Sequence, residues 1–584
     1  MKRILLYVHY NKYDNLSSHV LYQLEKMRPL FEDILFISNS NLSKSDKDKL
    51  EKAELITDFL QRKNSGFDFV GWKDGFQKLG FENVSKYDSV TIMNDTCYGP
   101  IWDINEVFEK FDSDLSTDFW GMTNHRATER FKEHLQSYFI TFKKQVVQSK
   151  EFKNFWSNVR EYTNVQDVID YLESPVTNIF VDAGFNYKAV FDTTNEELHH
   201  MPLPDFSYYN VAKIIEKRVP FIKVKALHGN PQQTSFVIDE LGLISNYPTE
   251  LIVEHMSNMF TPAAYNLLKY KYLDKTIHSN FLDKKDKKVA IHLHTYYVDL
   301  LESFLDIFST FSFEYDLFLT TDKEEKALEI EEILSKRGAV ASVHVTGNRG
   351  RDVLPMLKLK DQLSQYDFIG HFHTKKSLEA EFWAGESWRR ELLEMLVKPS
   401  DAIVTQLVHN DKLGLVIADI PTYFRYIALD PFYEGALSND MNKLWKRMKM
   451  KKELDFQEFS TYVMSYGTYV WFRYDALKPL FDIEIQDSEV PEEPLPLATI
   501  LHSIERMLVY IAWGNDYDFR ISKNPVTLPP FVDVSLLNKR EGIRFNPVAQ
   551  ADFAYFGGLK GAVKYFFFIN KSILKYVVKR LLKR

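Results

Sequence analysis

The sequence predicts an α/β chain of two tandem units, each alternating strands with helices, followed by a basic amphipathic helix. Repetition carries the first part of that expectation. KRILLYVHYNKYD, from Lys2 to Asp14, aligns with KKVAIHLHTYYVD, from Lys287 to Asp299, setting His9 against His294 and Asp14 against Asp299. Asn64-Ser65-Gly66-Phe67-Asp68 returns as Asn348-Arg349-Gly350-Arg351-Asp352, and each copy is followed by a Tyr-Asp pair opening a β-rich run, Tyr87 to Met93 and Tyr366 to His371. Length is the second observation: 584 residues exceed what one hydrophobic core usually serves. The third is the periodicity of the C-terminal segment.

In the first copy, Ile4 to Val8 and Ile34 to Ile37 read as buried strands with a helix from Ser17 to Met27 between them. Lys44 to Leu60 is charged and mostly helical by pattern. A helix from Phe69 to Leu79, a strand from Ser89 to Met93 and a strand end at Phe119 to Thr123 follow. Arg130 to Val159 reads as helical, and Glu173 sits in a further helix closing near Gly184. In the second copy, Asp316 to Thr320 and Val343 to Thr346 are strands, with helices over Asp322 to Lys336 and Asp352 to Leu363. Later strands are expected at Gly414 to Ala418 and Tyr469 to Tyr474, a Pro-rich loop at Gln486 to Pro496 and a helix from Thr499 to Trp513. The expected domains are residues 1–250, a helical connector at 251–285, residues 286–550, and the terminal helix at 556–584.

Composition narrows the function classes. The chain is 45% apolar and 26% charged, as an ordered globular protein is. One cysteine, Cys97, excludes an intramolecular disulfide and argues against a Cys-rich zinc site. The net charge of −8 hides an asymmetry: residues 560–584 carry eight Lys or Arg and no acid, leaving −16 on the other 559. An acidic body argues against nucleic acid as a partner. Lys560, Lys564, Lys571, Lys575, Lys579 and Lys583 recur at intervals of four or seven among Phe, Ile, Leu and Val, the pattern of a basic amphipathic helix lying on an anionic membrane surface. The N-terminal apolar run is short and lacks a cleavage site, so it reads as a strand; with no run long enough to span a bilayer, a cytoplasmic, peripheral protein is expected.

Mostly parallel sheets bind ligands beyond the carboxyl ends of their strands. Asn94-Asp95-Thr96 and His371-Phe372-His373 fall there, making them candidates. Asp95 suits a divalent cation bridging phosphates, and an Asx-type turn is the equally weighted alternative. His371 and His373, with Lys375 close behind, suit a diphosphate directly; a plain surface loop is the alternative. In the repeated Asn-x-Gly-x-Asp, Gly66 and Gly350 allow close backbone approach before a helix, and Arg349 and Arg351 add phosphate donors. That makes Asn64, Asp68, Asn348 and Asp352 donor-site candidates together with Asn94, His9 and His294. Trp120, Trp388 and Trp471 read as core before they read as sugar platforms.

RKNSGFDFVGWKDG (62–75), YDSVTIMNDTCYGP (87–100), DFWGMT (118–123), HLQSYF (134–139), GNRGRDVLPML (347–357), YDFIGHFHTKKS (366–377) and YVWFRYDALKPL (469–480) together resemble the rhamnan synthesis protein F family of bacterial cell-wall polysaccharide pathways. Each copy is similar to the nucleotide-diphosphosugar half of GT-A glycosyltransferases, a Rossmann-related fold. The resemblance implies two tandem GT-A-like domains and a rhamnosyltransferase using dTDP-L-rhamnose to extend a lipid-linked rhamnan at the inner face of the cell membrane, with Mg or Mn at Asp95 as an optional cofactor. Asn94-Asp95-Thr96 departs from the two-aspartate pattern common in GT-A enzymes. An inverting reaction would need a base, for which Asp118 and Glu173 are the candidates beside Asp95. The competing expectation is a glycan- or nucleotide-binding scaffold of a polysaccharide-assembly complex.

Overall fold

The computed structural model describes all residues except 199–200, 202, 266–268, 275–286, 375–381, 423–435, 460–461, 493–494, 496–497, 525–557 and 583–584. The chain divides into two compact units, Met1–Phe260 and Thr261–Arg584. Both are mixed α/β, as the sequence predicts.

The first unit is built on β1 (Arg3–His9), β2 (Asp33–Ser38), β3 (Asp58–Gln61), β4 (Ser89–Asn94), β5 (Cys97–Tyr98), β6 (Phe119–His125), β7 (His134–Leu135), β8 (Phe139–Lys143), β9 (Tyr187–Phe191) and β10 (Ile222–Lys223). The main sheet runs β3-β2-β1-β4-β8-β6, with β7 and β9 both pairing β6; β5 and β10 form a separate antiparallel ribbon. β1 to β4 are parallel, β8 is antiparallel to both β4 and β6, and β6 therefore runs in the direction of β4. Apolar runs such as Ile4 to Val8 bury completely because helices cover the sheet. The helix Phe67–Leu79 packs so closely that a Cβ on Gly75 would lie 2.7 Å from Ile37.

The second unit repeats this order with β11 (Val289–His294), β12 (Asp316–Thr321), β13 (Ser342–Val345), β14 (Phe368–His373), β15 (Leu413–Ala418), β16 (Val470–Arg473) and β17 (Asp518–Ser522), arranged β13-β12-β11-β14-β16-β15-β17. β16 is antiparallel to its neighbours, as β8 is. Trp471 fills the core beside Gly370, where a Cβ would lie 2.8 Å from the indole. Trp120 and Trp471 are buried core residues, and Trp388 packs against the core of the second unit. The helix Gly558–Leu582 closes the chain, with Phe566, Phe567, Phe568 and Leu574 exposed. Among the described residues no helix is long and apolar enough to cross a membrane.

Three sequence expectations are corrected. Arg130 to Val159 is not one helical run: β7 and β8 occupy its first half, because Phe139 to Lys143 lies between β4 and β6 and its aromatic residues bury on both faces. Lys44 to Leu60 is helical only over Lys44–Lys52 and ends in β3. The match of His9 to His294 is off by one residue. Arg3 pairs with Ser89 at the start of β4 and Val289 with Phe368 at the start of β14; likewise Asp95 N–H bonds to Val8 O, and Thr374 N–H to His294 O. His294 thus occupies the position of Val8, and a one-residue slip turns a side chain to the opposite face.

The repeated Tyr-Asp pairs have a structural role. Tyr87 donates to Asp33 at 2.6 Å and Tyr366 to Asp316 at 2.8 Å, while Asp88 and Asp367 accept the backbone N–H of Lys2 and Lys288. Both pairs clamp the amino ends of the strands, far from the ends that bind ligands.

Candidate functional site

In the first unit the carboxyl ends of β1 and β4 meet the start of the helix Phe67–Leu79. Gly66 precedes that helix with φ +64°, and a Cβ there would lie 2.2 Å from Val70. Glycine is required for this turn, which brings Asp68 to the end of β4. Asn94 donates to Asp68 at 2.7 Å, and Asp95 accepts the Tyr10 N–H at 2.9 Å. Glu173, at the end of the π-helical turn Ile169–Glu173, accepts the Ser137 N–H at 3.0 Å.

Three carboxylates therefore share one end of the sheet, and burial dominates their electrostatics. Asp95 is pushed up to about 8 by burial, with the neighbouring Asp68 adding repulsion and the Tyr10 N–H opposing it. Asp68 rises to about 6, again by burial first, with Glu173 adding to it and the Asn94 amide opposing it. His9 falls to about 3 because it is buried and faces His19. Its Nε2 lies 3.9 Å from Asp95 Oδ2 and has no hydrogen-bond partner, so the pair is a neutral imidazole beside a carboxyl that burial keeps protonated at pH 7. His19 and His255 stack at 4.1 Å behind it, and His255 lies 3.1 Å from the Tyr98 hydroxyl.

Asp118 is a correction. It precedes β6, where it accepts from the Asn186 N–H at 2.7 Å and from Gln145. Its carbonyl receives the Lys143 N–H, and Lys143 pairs with Ser89 at the start of β4. Since β6 runs with β4, Asp118 stands at the opposite end of the sheet from Asp95, roughly 20 Å away by strand rise. It does not join the other carboxylates. Asn64 lies exposed on the loop before Gly66.

The second unit places different chemistry on the same frame. Gly350 has φ +88° and Arg351 φ +50°, repeating Gly66 and Phe67, whose φ is +56°. Asp352 takes the place of Asp68: it lies 3.2 Å from His371 Nε2 and accepts from Thr468. Burial opposes its ionisation, but His373, His371 and Thr468 outweigh burial and hold it well below the usual carboxylate range. His292 and His371 meet at 2.8 Å through their Nδ1 atoms, and His292 and His294 both reach Thr320 at 2.9 Å. Burial lowers His294 to about 4.

His371 and His373 are therefore corrected as direct diphosphate ligands. His371 is 1% exposed with both ring nitrogens engaged, and His373 directs Nε2 at Gly467 O, 2.5 Å away. Where Tyr10 N–H meets Asp95 in the first unit, Tyr297 N–H meets the Thr374 hydroxyl at 2.8 Å. The second unit has no carboxylate at this position. Arg349 donates to Val490 O at 2.8 Å, Asn348 is exposed, and Lys375 lies outside the described residues.

Sequence reasoning missed His19, His255, Lys223 and Lys225 around the first site. The alternation in Ile222-Lys223-Val224-Lys225 was a usable signal for the two lysines. Among the described residues no group of three or more His, Cys, Asp or Glu side chains is placed to hold a metal ion. A cation at Asp95 would thus depend on phosphate and water oxygens for most of its shell.

A family model described as rhamnan synthesis protein F matches residues 34–517. The uncharacterized protein WxcX of Xanthomonas campestris pv. campestris is 29% identical over 224 residues, 38% of this chain and 30% of that protein. The uncharacterized protein y4gN of Sinorhizobium fredii is 28% identical over 170 residues, 29% of this chain and 43% of that protein. The chain thus spans less than half the length of these curated relatives. Among solved structures, the apo glycosyltransferase GlyE of Streptococcus pneumoniae is similar at 11% identity, 64% of this chain, 87% of that one and a TM-score of 0.23. S. aureus TarS residues 1–349 is similar at 13% identity, 41% of this chain, 58% of that one and a TM-score of 0.23.

Proposed function

The chain belongs to the rhamnan synthesis protein F family, and from that premise we propose that it is a glycosyltransferase whose first unit carries the reaction. The observation that supports this reading most is the placement of Asp95, Asp68, Asn94 and Glu173 at one sheet end, against Thr374 in the second unit. The donor we assign is dTDP-L-rhamnose and the acceptor a lipid-linked rhamnan. Transfer from a β-linked donor to an α-rhamnoside inverts the anomeric centre, so a base must take the proton of the acceptor hydroxyl as the new bond forms and the nucleoside diphosphate leaves. Glu173 is that base: it accepts the Ser137 N–H and stands beside Asp68 at the same end of the sheet. Mg or Mn held by Asp95, when bound, would neutralise charge on the diphosphate and would take the place of the proton that burial keeps on this carboxyl.

The second unit is read as a binding unit without transfer activity, a role favoured by the burial of its histidines in internal hydrogen bonds. The C-terminal helix, with exposed aromatic side chains and Lys560, Lys564, Lys571 and Lys575, is read as the contact with the inner face of the cell membrane. Incubating the purified chain with a lipid-linked acceptor and a panel of labelled dTDP- and UDP-sugars tests the assignment. Label should pass from dTDP-L-rhamnose alone. Transfer from another donor would overturn the substrate, and no transfer from any would favour a scaffold.

A further inference from the structure

Directly after Asp95 and Thr96, the chain enters the β5–β10 ribbon, where Lys223 pairs with Cys97 and Val224 N–H bonds to Thr96 O at 2.9 Å. The ribbon holds Lys223, and the helix Val224–His228 that follows it holds Lys225. Lys223 is only 9% exposed, with its ammonium 5.0 Å from the centroid of the Tyr138 ring; the Tyr138 carbonyl in turn accepts the Asn94 N–H. Lys225 stands 5.4 Å from the Tyr208 ring. Neither ammonium has an ion pair or hydrogen bond among the described residues.

A nine-tenths buried ammonium with no hydrogen-bonded partner is expensive, since it has given up water for aromatic faces and a like-charged neighbour. Cation–π contact returns only part of that cost. The charges around the pair are of mixed sign. Lys225 is lowered first by Lys223 and then by burial, with Asp205 and Glu173 opposing. Asp205 is already committed to Ser207 at 2.6 Å and Gln136 at 3.1 Å. Burial pushes Asp205 up, yet Lys223, Ser207 and Lys225 outweigh it. The buried Cys97 thiol, pushed up to about 12 by burial, is neutral and gives the lysines no counter-charge. The carboxylates that act on the pair, Asp205 and Glu173, thus make no hydrogen bond or ion pair with either ammonium, and Lys223 lies in a ribbon that begins two residues after Asp95.

We propose that Lys223 and Lys225 form the diphosphate cradle of the first unit, neutralising the leaving group with fixed ammonium charge. The proposal rests on the reading of this unit as the transferring one, and it assigns the chemistry of leaving-group departure to residues of the chain. Two ammonium groups supply six donors, enough for charge-assisted bonds to both phosphate groups. As the glycosidic bond to the diphosphate breaks, the electron pair stays on the diphosphate oxygen, and the two lysines hold the charge that develops there. A diphosphate reaches such a site from two sources, the nucleotide of the donor or the lipid anchor of the acceptor.

Titration calorimetry on the full chain in EDTA distinguishes them, using dTDP, inorganic pyrophosphate and farnesyl diphosphate as separate probes. We expect dTDP to bind without divalent cation, and Lys223→Met or Lys225→Met each to weaken it at least about tenfold, roughly 1.4 kcal/mol. Lys225→Arg should stay within about threefold of wild type, because the charge is kept. Lysine-dependent binding of farnesyl diphosphate with none of dTDP would overturn the leaving-group role and assign the lysines to the lipid anchor of the acceptor. Since Lys223 is buried, Lys225→Met carries the test if Lys223→Met fails to fold. Unchanged affinity in folded Lys225→Met, or binding that vanishes in EDTA, overturns the proposal. Transfer that continues at unchanged dTDP affinity in both variants would remove the cradle and leave the transferase reading intact. Lysine-dependent diphosphate binding in a chain that transfers nothing would do the reverse.

Discussion

Replacing Asp95 by Asn should stabilise the protein in mild alkali. The carboxyl is raised from 3.8 to about 8 in the folded chain, chiefly by burial, and its side chain is 12% exposed. In the unfolded chain an Asp ionises near 4, so between about pH 4 and pH 8 the native state holds a proton that the unfolded state has lost. Stability therefore falls as pH rises through this window, and the penalty is complete above the folded value. Four units at about 1.4 kcal/mol each give a ceiling of roughly 6 kcal/mol; relaxation and the shared load with Asp68 reduce the expected effect to about 2–3 kcal/mol. Asn keeps an acceptor for the Tyr10 N–H, so the change removes charge with little loss of geometry. Thermal melts of wild type and Asp95→Asn from pH 5 to 9 are the assay, read as the difference between the two curves so that other titrating groups cancel. At pH 5 the difference should be small. At pH 8.5 the variant should melt higher, by about 2–4 °C per kcal/mol for a unit of this size. Parallel curves, or a wild type that is the more stable at pH 8.5, would refute the argument that burial holds Asp95 protonated. If Asp95 takes a cation, Mg should raise the melting temperature of the wild type and leave that of the variant where it was.

Glu173→Gln should lower kcat by about 10²-fold or more with dTDP affinity unchanged, measured by single-turnover transfer, because it removes only the proton acceptor. Asp352→Asn should destabilise by about 3–5 kcal/mol at pH 7 in urea denaturation, since it leaves His371 facing a buried neutral amide. Asp352 is held low in the folded state, so its contribution is present above about pH 4 and lost as pH falls through the folded value; the difference between variant and wild type should close in acid. Truncation before Lys560 should abolish sedimentation with vesicles rich in anionic lipid, at about 1 kcal/mol per basic residue removed.

Much of this was legible in the chain because periodicity and repetition speak for sheets covered on both faces. Ile4 to Val8, Ile34 to Ile37 and Ser89 to Met93 are continuous apolar runs and became central parallel strands. Gly66 and Gly350 were recognisable as turns, and both have positive φ with a Cβ position already filled by Val70 or Leu354. Register was harder to read. His9 and His294 are chemically matched in the alignment, yet strand pairing is fixed by backbone hydrogen bonds and moves His294 onto the position of Val8. Strand direction was equally hidden: Asp118 precedes a strand that runs with β4, which sends it to the amino end of the sheet. Lys223 reaches Cys97 only through a two-residue ribbon more than a hundred positions away in sequence, and local pattern carries no record of that pairing.

The measurement that bears most directly on the central claim is transfer of labelled rhamnose from dTDP-L-rhamnose to a lipid-linked acceptor by three purified proteins: wild type, Glu173→Gln and a folded second-unit variant, Thr374→Ala. Wild type and Thr374→Ala should both transfer, and Glu173→Gln should transfer at least about 10²-fold more slowly. Transfer by Glu173→Gln at the wild-type rate, or its loss in Thr374→Ala alone, would contradict the assignment of the reaction to the first unit.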